Sequence, residues 1–598
     1  MKITPTALTL NQLLGSANER FVIPSYQRRY SWKGQQLYDL IDDINILEGD
    51  DTHLLGSIVC LTGAHTAGLN SMELVDGQQR LTSICILLEC LKETHQANGD
   101  EKKAQELARL LEATPYDGPT VPKVLLDTMD GEEFSQHLKL SASYQDTQFM
   151  NSRLQQAFAN ARYWVAEQEP KALAAFQYRL LNQALVVRLD VNNARDAFKL
   201  FETINNRGLR LSPTDLIKNF VLGNAARFDK TNLDDAKSAW SKLMKYLDGA
   251  DTDTFFRYFL ISRLATRLTM SDVVHEFQIH FMNAVAEAES LPDRHWYAYE
   301  EEPESDDPFE EGSNEETSTA EIGQANDSKI SFERFLSSLV DSAKAYGELV
   351  TQRTGNAQID RHLRNLRMIK ATQAYGFLMY LRTNGTSTKT FVDVLQLTEN
   401  FILRRHVCRE RSNDTERLFA HLCEADAVNP IPAVLEAYRE ECPSDDKFRE
   451  EFANAAFTPN IMDRARYCLE QLELMKHGSH TELGVLGTDS VHVEHIIPRR
   501  INTKKSCDEY GDWTSYLGER TSLQHPKLVH RIGNLTLFAG VLNIVASNNV
   551  FGMKKAGYKA SSILLTKELA QMKDFKFSHL EARSKALANL AVQRWPSP

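Results

Sequence analysis

The chain lacks the sequence features that mark membrane, secreted and zinc-finger proteins. No apolar run approaches the roughly 18 residues that a membrane-spanning helix needs, and the first five residues lead into no signal-peptide core. Its eight cysteines form no Cys-x-x-Cys pair, so we expect no zinc framework and interpret them as reduced packing residues. We therefore expect a cytoplasmic protein with no membrane partner.

Two further absences narrow the interpretation. The chain has no internal repeat, and it has no Gly-Lys-Ser/Thr loop of the Walker type, so any nucleotide site is of another kind. Its length of 598 residues exceeds a single core and predicts about three or four domains. The apolar content of 42% and the charged content of 25% are ordinary for a globular protein.

The net charge of −13 is concentrated in one segment. Residues 300–322 contain eleven acidic side chains and no Lys or Arg, and without them the remaining charge is −2. Local basic surfaces can then attract phosphate although the whole chain is acidic. The segment 297–328 is also rich in Ser, Thr, Gly and Pro, and we predict that it forms an acidic flexible linker.

Hydrophobic periodicity predicts an α+β fold that is predominantly helical. Ser212 and Pro213 form a typical helix start. Short strands are predicted over residues 54–61, 73–75, 184–189, 491–497 and 535–538. Helices are predicted over residues 79–93, 193–205 and 213–223, and throughout 230–290 and 329–475.

Four side chains near the C-terminus occur in an order that suits phosphodiester hydrolysis: Glu494, His495, Asn534 and Asn543. The reaction needs an activated water and neutralised phosphoryl oxygens, which a neutral histidine and one divalent cation can supply. Hard oxygen donors favour Mg²⁺ or Mn²⁺ over zinc. Strand alternation sends Glu494 and His495 to opposite faces, so a bend or bulge is expected there.

Three N-terminal segments combine aromatic, amide and guanidinium groups. In the first, 21–32, Gln27 and Arg28 lie among aromatic residues that can stack on a base or simply pack as a rigid loop. The second joins a strand to a helix, where Gly77 permits a tight turn with free N–H groups for phosphate; a turn without a ligand is an equally open interpretation. Its candidate nucleotide-binding residues are Asp76, Gly77, Gln78, Gln79 and Arg80. The third segment contains Asn205, Arg207 and Gly208, with Asp215, Lys218 and Asn219 following.

Basic residues offer candidate DNA contacts in two places. Arg361 and Arg364 belong to a series of cations spaced every third residue, which lie on one face of a predicted helix. Lys554 and Lys555 follow the C-terminal pattern. Both groups suit phosphate contacts, and for both the alternative is a solvated surface.

Together these motifs resemble the GmrSD and BrxU families of modification-dependent restriction enzymes. The matching residues are Ile23-Pro24-x-Tyr26-Gln27-Arg28, Asp76 to Arg80, Phe201-x-x-x-Asn205-x-Arg207-Gly208, Glu494-His495-Ile496-x-Pro498 and Ile532 to Leu537 with Asn543. The resemblance implies a ParB-like nucleotide-binding domain over 1–225 and an HNH nuclease domain of the ββα-metal fold over 481–598. Between them we expect a helical extension (226–296), the linker and a helical domain (329–480).

The resemblance also implies an activity and its site residues. His495 would be the general base, Asn534 the loop brace, and Glu494 and Asn543 the metal ligands. The N-terminal motifs would bind and hydrolyse ATP, GTP or another NTP. The implied substrate is double-stranded phage DNA bearing hydroxymethylated or glucosylated cytosine. Alternatives are an NTP-responsive DNA-binding regulator with an inactive HNH fold, and an unspecific nicking nuclease. Oligomeric state stays open, with a homodimer as one alternative.

Overall fold

The computed structural model describes most of the chain. The described residues are 3–66, 68–138, 151–205, 212–228, 230–290, 329–477, 491–501, 504, 508, 511–539 and 549–598. The predicted linker 297–328 lies outside them, as do Arg207, Gly208 and Asn543, and the side chain of Asn205 is not described.

The chain divides into two compact units. The first contains residues Met1–Phe256 and Met270–Lys344, and the second contains Arg257–Thr269 and Ala345–Pro598. About 65% of the structure is helical, with a small mixed sheet, which confirms a mainly helical α+β chain. Within the described residues, no helix is both long enough and apolar enough to cross a membrane.

A six-stranded mixed sheet organises the first unit, in the order β1-β8-β3-β4-β2-β7. Strands β1 to β8 are Ile3–Thr9, Glu19–Ile23, His53–Thr66, Leu69–Asp76, Glu112–Ala113, Val121–Pro122, Val124–Leu126 and Ala184–Val191. The pairs β1–β8 and β3–β4 are antiparallel, whereas β3–β8, β2–β4 and β2–β7 are parallel. β5 and β6 form a separate two-stranded ladder.

Helices cover this sheet and continue beyond it. Helices α1 to α12 are Leu10–Leu14, Gly34–Asn45, Gln78–Ala97, Glu101–Leu111, Gly131–His137, Ser152–Ala166, Pro170–Asn182, Ala194–Asn205, Pro213–Phe228, Lys230–Tyr246, Thr252–Leu264 and Val273–Ala284. α3 is buried on nearly every side, since Leu81, Cys85, Leu88 and Leu91 all belong to the main apolar core. The β4–α3 turn is therefore anchored at the centre of the unit.

The described residues of the second unit form helices and one β-ladder. Helices α13, which begins in the first unit, to α20 are Phe332–Thr351, Ala357–Met368, Tyr375–Thr383, Thr388–Val407, Ser412–His421, Ile431–Glu441, Asp445–Asn454 and Met462–His477. Helices α21 to α25 are Trp513–Leu517, Thr521–Leu528, Phe551–Ala560, Leu564–Lys567 and Phe577–Arg594. The ladder joins β9, Val491–His495, to β10, Leu535–Ala539.

Most elements predicted from periodicity are present. The strands predicted at 54–61, 73–75 and 184–189 occur as β3, β4 and β8, and those at 491–497 and 535–538 as β9 and β10. The three helices predicted at 79–93, 193–205 and 213–223 occur as α3, α8 and α9. Ser212 caps α9 as expected, because its hydroxyl accepts the N–H of Asp215 at 3.2 Å.

Candidate nuclease and nucleotide sites

The β9–β10 ladder fixes the directions of Glu494 and His495. Thr536 pairs with Glu494 and Leu535 with His495 in an antiparallel register without a shift. The bend or bulge expected between Glu494 and His495 is therefore absent from this ladder. Successive side chains of a strand point to opposite faces, so Glu494 and His495 leave β9 on different sides.

His495 lies at the end of β9 beside a second imidazole. Its Nε2 is 3.4 Å from Nδ1 of His530, and the rings meet edge to face with centroids 5.5 Å apart. Burial lowers the pKa of His495 to about 3, and the neighbouring charges of His530, Arg499 and Lys554 act in the same direction. The imidazole is thus neutral near pH 7 and can accept a proton, although its lowered pKa makes it a weaker base than an ordinary histidine.

The side-chain amide of Asn534 holds the loop that follows His495. Its Oδ1 accepts the N–H of Ile497 at 2.8 Å, and its Nδ2 donates to the carbonyls of Ile497 at 2.9 Å and Val529 at 2.8 Å. The backbone carbonyl of Asn534 also accepts the N–H of Ile496 at 2.9 Å. Asn534 is fully buried, so water cannot replace these bonds.

Helix α25 in turn holds the turn that carries Asn534. The N–H of Gly533 donates to Oγ of Ser584 at 3.1 Å, and Nη1 of Arg583 donates to the carbonyls of Gly533 and Leu535 at 2.9 and 2.7 Å. A Cβ at Gly533 would lie 2.2 Å from the carbonyl oxygen of Leu580. Glycine is required here because the backbone of α25 approaches so closely.

Glu494 faces helix α23, where it pairs with Lys554. The ammonium of Lys554 donates to Oε1 of Glu494 at 2.6 Å and to the carbonyls of His495 and Ile496, each at 3.2 Å. Lys554 is completely buried, and burial lowers its pKa while Glu494 opposes this effect. The phosphate contact expected of Lys554 does not fit this arrangement, since its side chain is closed off from any DNA surface.

The donor types near β9 fit a hard divalent cation. The second carboxylate oxygen of Glu494 has no partner among the described residues, and the side chain is 13% exposed. Within the described part of the chain, no three His, Cys, Asp or Glu side chains are grouped to hold a metal. Completing a cation site therefore needs further donors, such as the amide of Asn543, which lies outside the described residues.

The other predicted DNA-binding residues lie on exposed helix faces. α14 buries Ile359, Leu363 and Leu366 and exposes Arg361 and Arg364 on the opposite side. Arg364 also pairs with Glu470 at 3.2 Å. Lys555 is half-buried on α23.

Sequence reasoning missed two groups beside His495. His530 contacts the His495 ring directly, and Arg499 is an exposed cation in the loop that follows β9. His530 stands three residues before Gly533, next to the motif that was recognised. This closeness in sequence to the Gly533-Asn534 motif could have identified His530 as a candidate site residue.

In the first unit, Gln27 joins three chain segments. Its Nε2 donates to the carbonyls of Leu74 and Val75 at 3.3 and 3.0 Å, and its Oε1 accepts from the ammonium of Lys218 at 2.5 Å. Gln27 is 3% exposed and Lys218 is equally buried. The loop after β2 is therefore tied both to the end of β4 and to α9.

The β4–α3 turn holds the same loop from the other side. Oε1 of Gln79 accepts the N–H of Ser31 at 2.8 Å, and its Nε2 donates to the carbonyl of Arg29 at 3.2 Å. Arg80 donates to the carbonyl of Ser57 at 3.0 Å. Gly77 has a φ of 93°, which favours glycine at this helix start. The side chains of Gln79 and Arg80 thus hydrogen-bond to backbone groups of the protein itself.

Charged side chains cluster where one face of α9 meets this loop. Arg28 and Lys218 lie 3.9 and 3.6 Å from the carboxylate of Asp215, and Arg28 is 44% exposed. Burial alone would raise the pKa of Asp215, but Lys218, Arg28 and the Ser212 hydroxyl outweigh it, so this pKa lies below its usual value. Burial lowers the pKa of Lys218, and Asp215 opposes that shift.

Several buried polar atoms near these motifs have no hydrogen-bond partner among the residues that the structure describes. These are both polar side-chain atoms of Asn219, which is only 1% exposed, and Oε1 of Gln78. Buried polar groups are nearly always paired, so unpaired ones are candidates for ligand contacts. The spacing i, i+3 and i+4 places Asp215, Lys218 and Asn219 on one helix face. This spacing could have indicated from the sequence alone that the three side chains belong to one site.

Comparison with known families finds matches to both ends of the chain. The model of the GmrSD restriction endonuclease N-terminal domain matches residues 10–222, and that of the GmrSD C-terminal domain matches residues 442–590. These segments of 213 and 149 residues make up more than half of the 598-residue chain and occur in the expected order. No curated protein matches the chain. With both of the family's domains on one polypeptide, the chain belongs to the GmrSD restriction endonucleases.

Proposed function

We propose that this restriction endonuclease cleaves double-stranded phage DNA that carries hydroxymethylated or glucosylated cytosine, and that NTP binding and hydrolysis control the cleavage. The position of His495, beside His530 and at the start of a loop braced by Asn534, carries the nuclease part of the proposal. The likeness of the motifs to modification-dependent restriction enzymes supports the substrate class. This is the type IV form of restriction, a bacterial defence against phage.

His495 acts as the general base. Its imidazole takes a proton from a water molecule, whose oxygen bonds to phosphorus while the bond from phosphorus to the sugar oxygen breaks. The released sugar oxygen takes up a proton from solvent. His530 supports the orientation of the His495 ring by its contact at 3.4 Å, and the exposed Arg499 supplies positive charge beside the scissile phosphate.

A bound Mg²⁺ or Mn²⁺ supplies neutralisation of charge on the phosphoryl and departing oxygens. Glu494 and Asn543 are its proposed protein ligands. The second oxygen of Glu494, which has no hydrogen-bond partner among the described residues, supports this assignment. Glu494 and His495 leave β9 on opposite faces, so a phosphate served by both must lie at the end of the strand.

The nucleotide site lies at the loop formed by residues 24–32, the β4–α3 turn and α9. Arg28 and Lys218 offer positive charge to phosphates, and the unpaired amides of Gln78 and Asn219 offer hydrogen bonds to the nucleotide. Gln27, Gln79 and Arg80 hold the loop in place, and Asp76 and Gly77 set the turn. Asn205, Arg207 and Gly208 complete the proposed set.

The test compares unmodified, hydroxymethylated and glucosylated phage DNA, each with Mg²⁺ and with each NTP in turn. The proposal expects cleavage of modified DNA that depends on an NTP. His495→Ala should lower the rate by about 10²–10⁴ while NTP hydrolysis persists. The matched control is His492→Ala, because His492 is an exposed histidine on the same strand.

Each alternative outcome is distinct. Equal cleavage of modified and unmodified DNA indicates an unspecific nuclease. Nucleotide-dependent DNA binding without strand scission indicates a regulator. If His495→Ala and His492→Ala cleave equally well, His495 is not the base.

A further inference from the structure

The ion pair between Glu494 and Lys554 has a geometry that bears on cation binding. Lys554 lies on the buried face of α23, between Phe551 and Tyr558, where a lysine is costly unless its charge is paired. An ammonium has three N–H donors, and Lys554 uses them on Oε1 of Glu494 and on the carbonyls of His495 and Ile496. No donor remains for a DNA phosphate.

The contact with Glu494 is made through one oxygen only. Oε1 is 2.6 Å from the ammonium, whereas Oε2 has no partner among the described residues. A carboxylate held in this way has a fixed rotamer and, within the described part of the chain, a second oxygen that no side chain or backbone group occupies. Carboxylates that ligate metals are themselves commonly hydrogen-bonded by such outer groups, which orient them.

We infer that Lys554 is a positioning residue for the cation site: it holds Glu494 through Oε1 so that Oε2 is presented to Mg²⁺ or Mn²⁺. It also holds the carbonyls of His495 and Ile496, and so fixes the backbone that carries the general base. The inference rests on the proposed function, in which Glu494 is a metal ligand.

The experiment measures Mn²⁺ binding to the full chain by electron paramagnetic resonance of free Mn²⁺, without DNA. Lys554→Met should weaken Mn²⁺ binding by about 10- to 100-fold. Lys554→Gln keeps two N–H donors, folds more easily in the buried position, and should weaken binding by a smaller factor. Glu494→Ala serves as the reference for a lost ligand.

Lys555 provides the matched control, since it is the adjacent lysine and is half-buried rather than enclosed. Lys555→Gln should leave the Mn²⁺ affinity unchanged and should reduce the salt dependence of DNA binding. Cleavage by each variant is then measured against Mn²⁺ concentration. Lys554→Gln should need more Mn²⁺ for half-maximal cleavage but should approach the wild-type rate at saturation.

Two results overturn the inference. One is wild-type Mn²⁺ affinity in folded Lys554→Gln together with weaker DNA binding, which would make Lys554 a phosphate contact. The other is wild-type Mn²⁺ affinity with only a lower unfolding midpoint, which would make the ion pair purely structural. If Glu494→Ala itself binds Mn²⁺ normally, the proposed metal ligand fails instead, and the two failures are separated.

Discussion

The side chain of Asn534 bonds both backbone polar groups of Ile497, accepting its N–H at 2.8 Å and donating to its C=O at 2.9 Å. The amide of Asn534 thereby pairs with the backbone of Ile497, 37 positions away, as a neighbouring strand of a sheet would. The loop leaving His495 is held without any help from solvent, because Asn534 is completely buried.

Asn534→Ala should destabilise this loop by about 2 kcal/mol or more, because it leaves the Ile497 N–H and two carbonyls unpaired. Hydrogen exchange of the 491–501 segment should accelerate, and DNA cleavage should fall with it. Asn534→Asp keeps the acceptor but loses the donors, so its exchange should lie between. Wild-type exchange in Asn534→Ala would contradict the bracing role.

Gly533→Ala should destabilise the second unit by about 1–3 kcal/mol, since the new methyl group would meet backbone atoms of α25. The measurement is urea unfolding of each variant. Gly552→Ala is the control, because no atom lies within 4 Å of the added Cβ in α23. An alanine there should be neutral or slightly stabilising. Equal stability of the two variants would exclude the close approach of α25.

The His495 imidazole should make folding weaker in acid. Its pKa is about 3 in the folded protein, against about 6.5 in an unfolded chain. Between pH 6.5 and pH 3 the imidazole is therefore protonated in the unfolded chain but not in the folded protein. The free energy of unfolding should therefore fall as pH drops from 6.5 toward 3, by less than about 1.4 kcal/mol per pH unit. His495→Gln should show a shallower decline between pH 7 and pH 5 than the wild type. Parallel curves would contradict the lowered pKa.

Asn219→Ala should separate ligand binding from stability. The amide is buried and has no partner in the described ranges, so its removal should not lower the free energy of unfolding, whereas nucleotide affinity should fall about tenfold if the amide binds the ligand. Titration with a fluorescent nucleotide provides the measurement. Asn224 on the same helix accepts from Arg227 at 3.3 Å, so Asn224→Ala should lose stability and keep nucleotide affinity. Unchanged affinity in Asn219→Ala would remove this residue from the proposed site.

Local chemistry explains why many elements could be predicted from the sequence. Ser212 and Pro213 set the start of α9 through a cap and a fixed φ, both of which depend on neighbouring residues only. Alternating and helical periodicity likewise located β8 and α3 to within a few residues. The first two strands, β1 and β2, were missed; β1 contains Pro5, which a strand tolerates at the edge of a sheet, where β1 lies.

The environment of the candidate sites could not be predicted in the same way. A lysine on a helix ordinarily predicts a solvated surface, yet Lys554 is enclosed because Glu494, sixty residues earlier, faces it. Gln27 and Lys218 meet across 191 positions, which no local pattern encodes. The regular register of β9 could not be inferred either, since it depends on pairing with β10.

The hydrogen bonds from α25 to the Gly533 turn determine when this turn can be held in place during protein synthesis. Arg583 and Ser584 hold the turn from a helix that the ribosome makes some fifty residues after Gly533. A nascent chain that ends before these codons lacks the bonds that hold the turn, so the turn can be secured only when synthesis is almost complete.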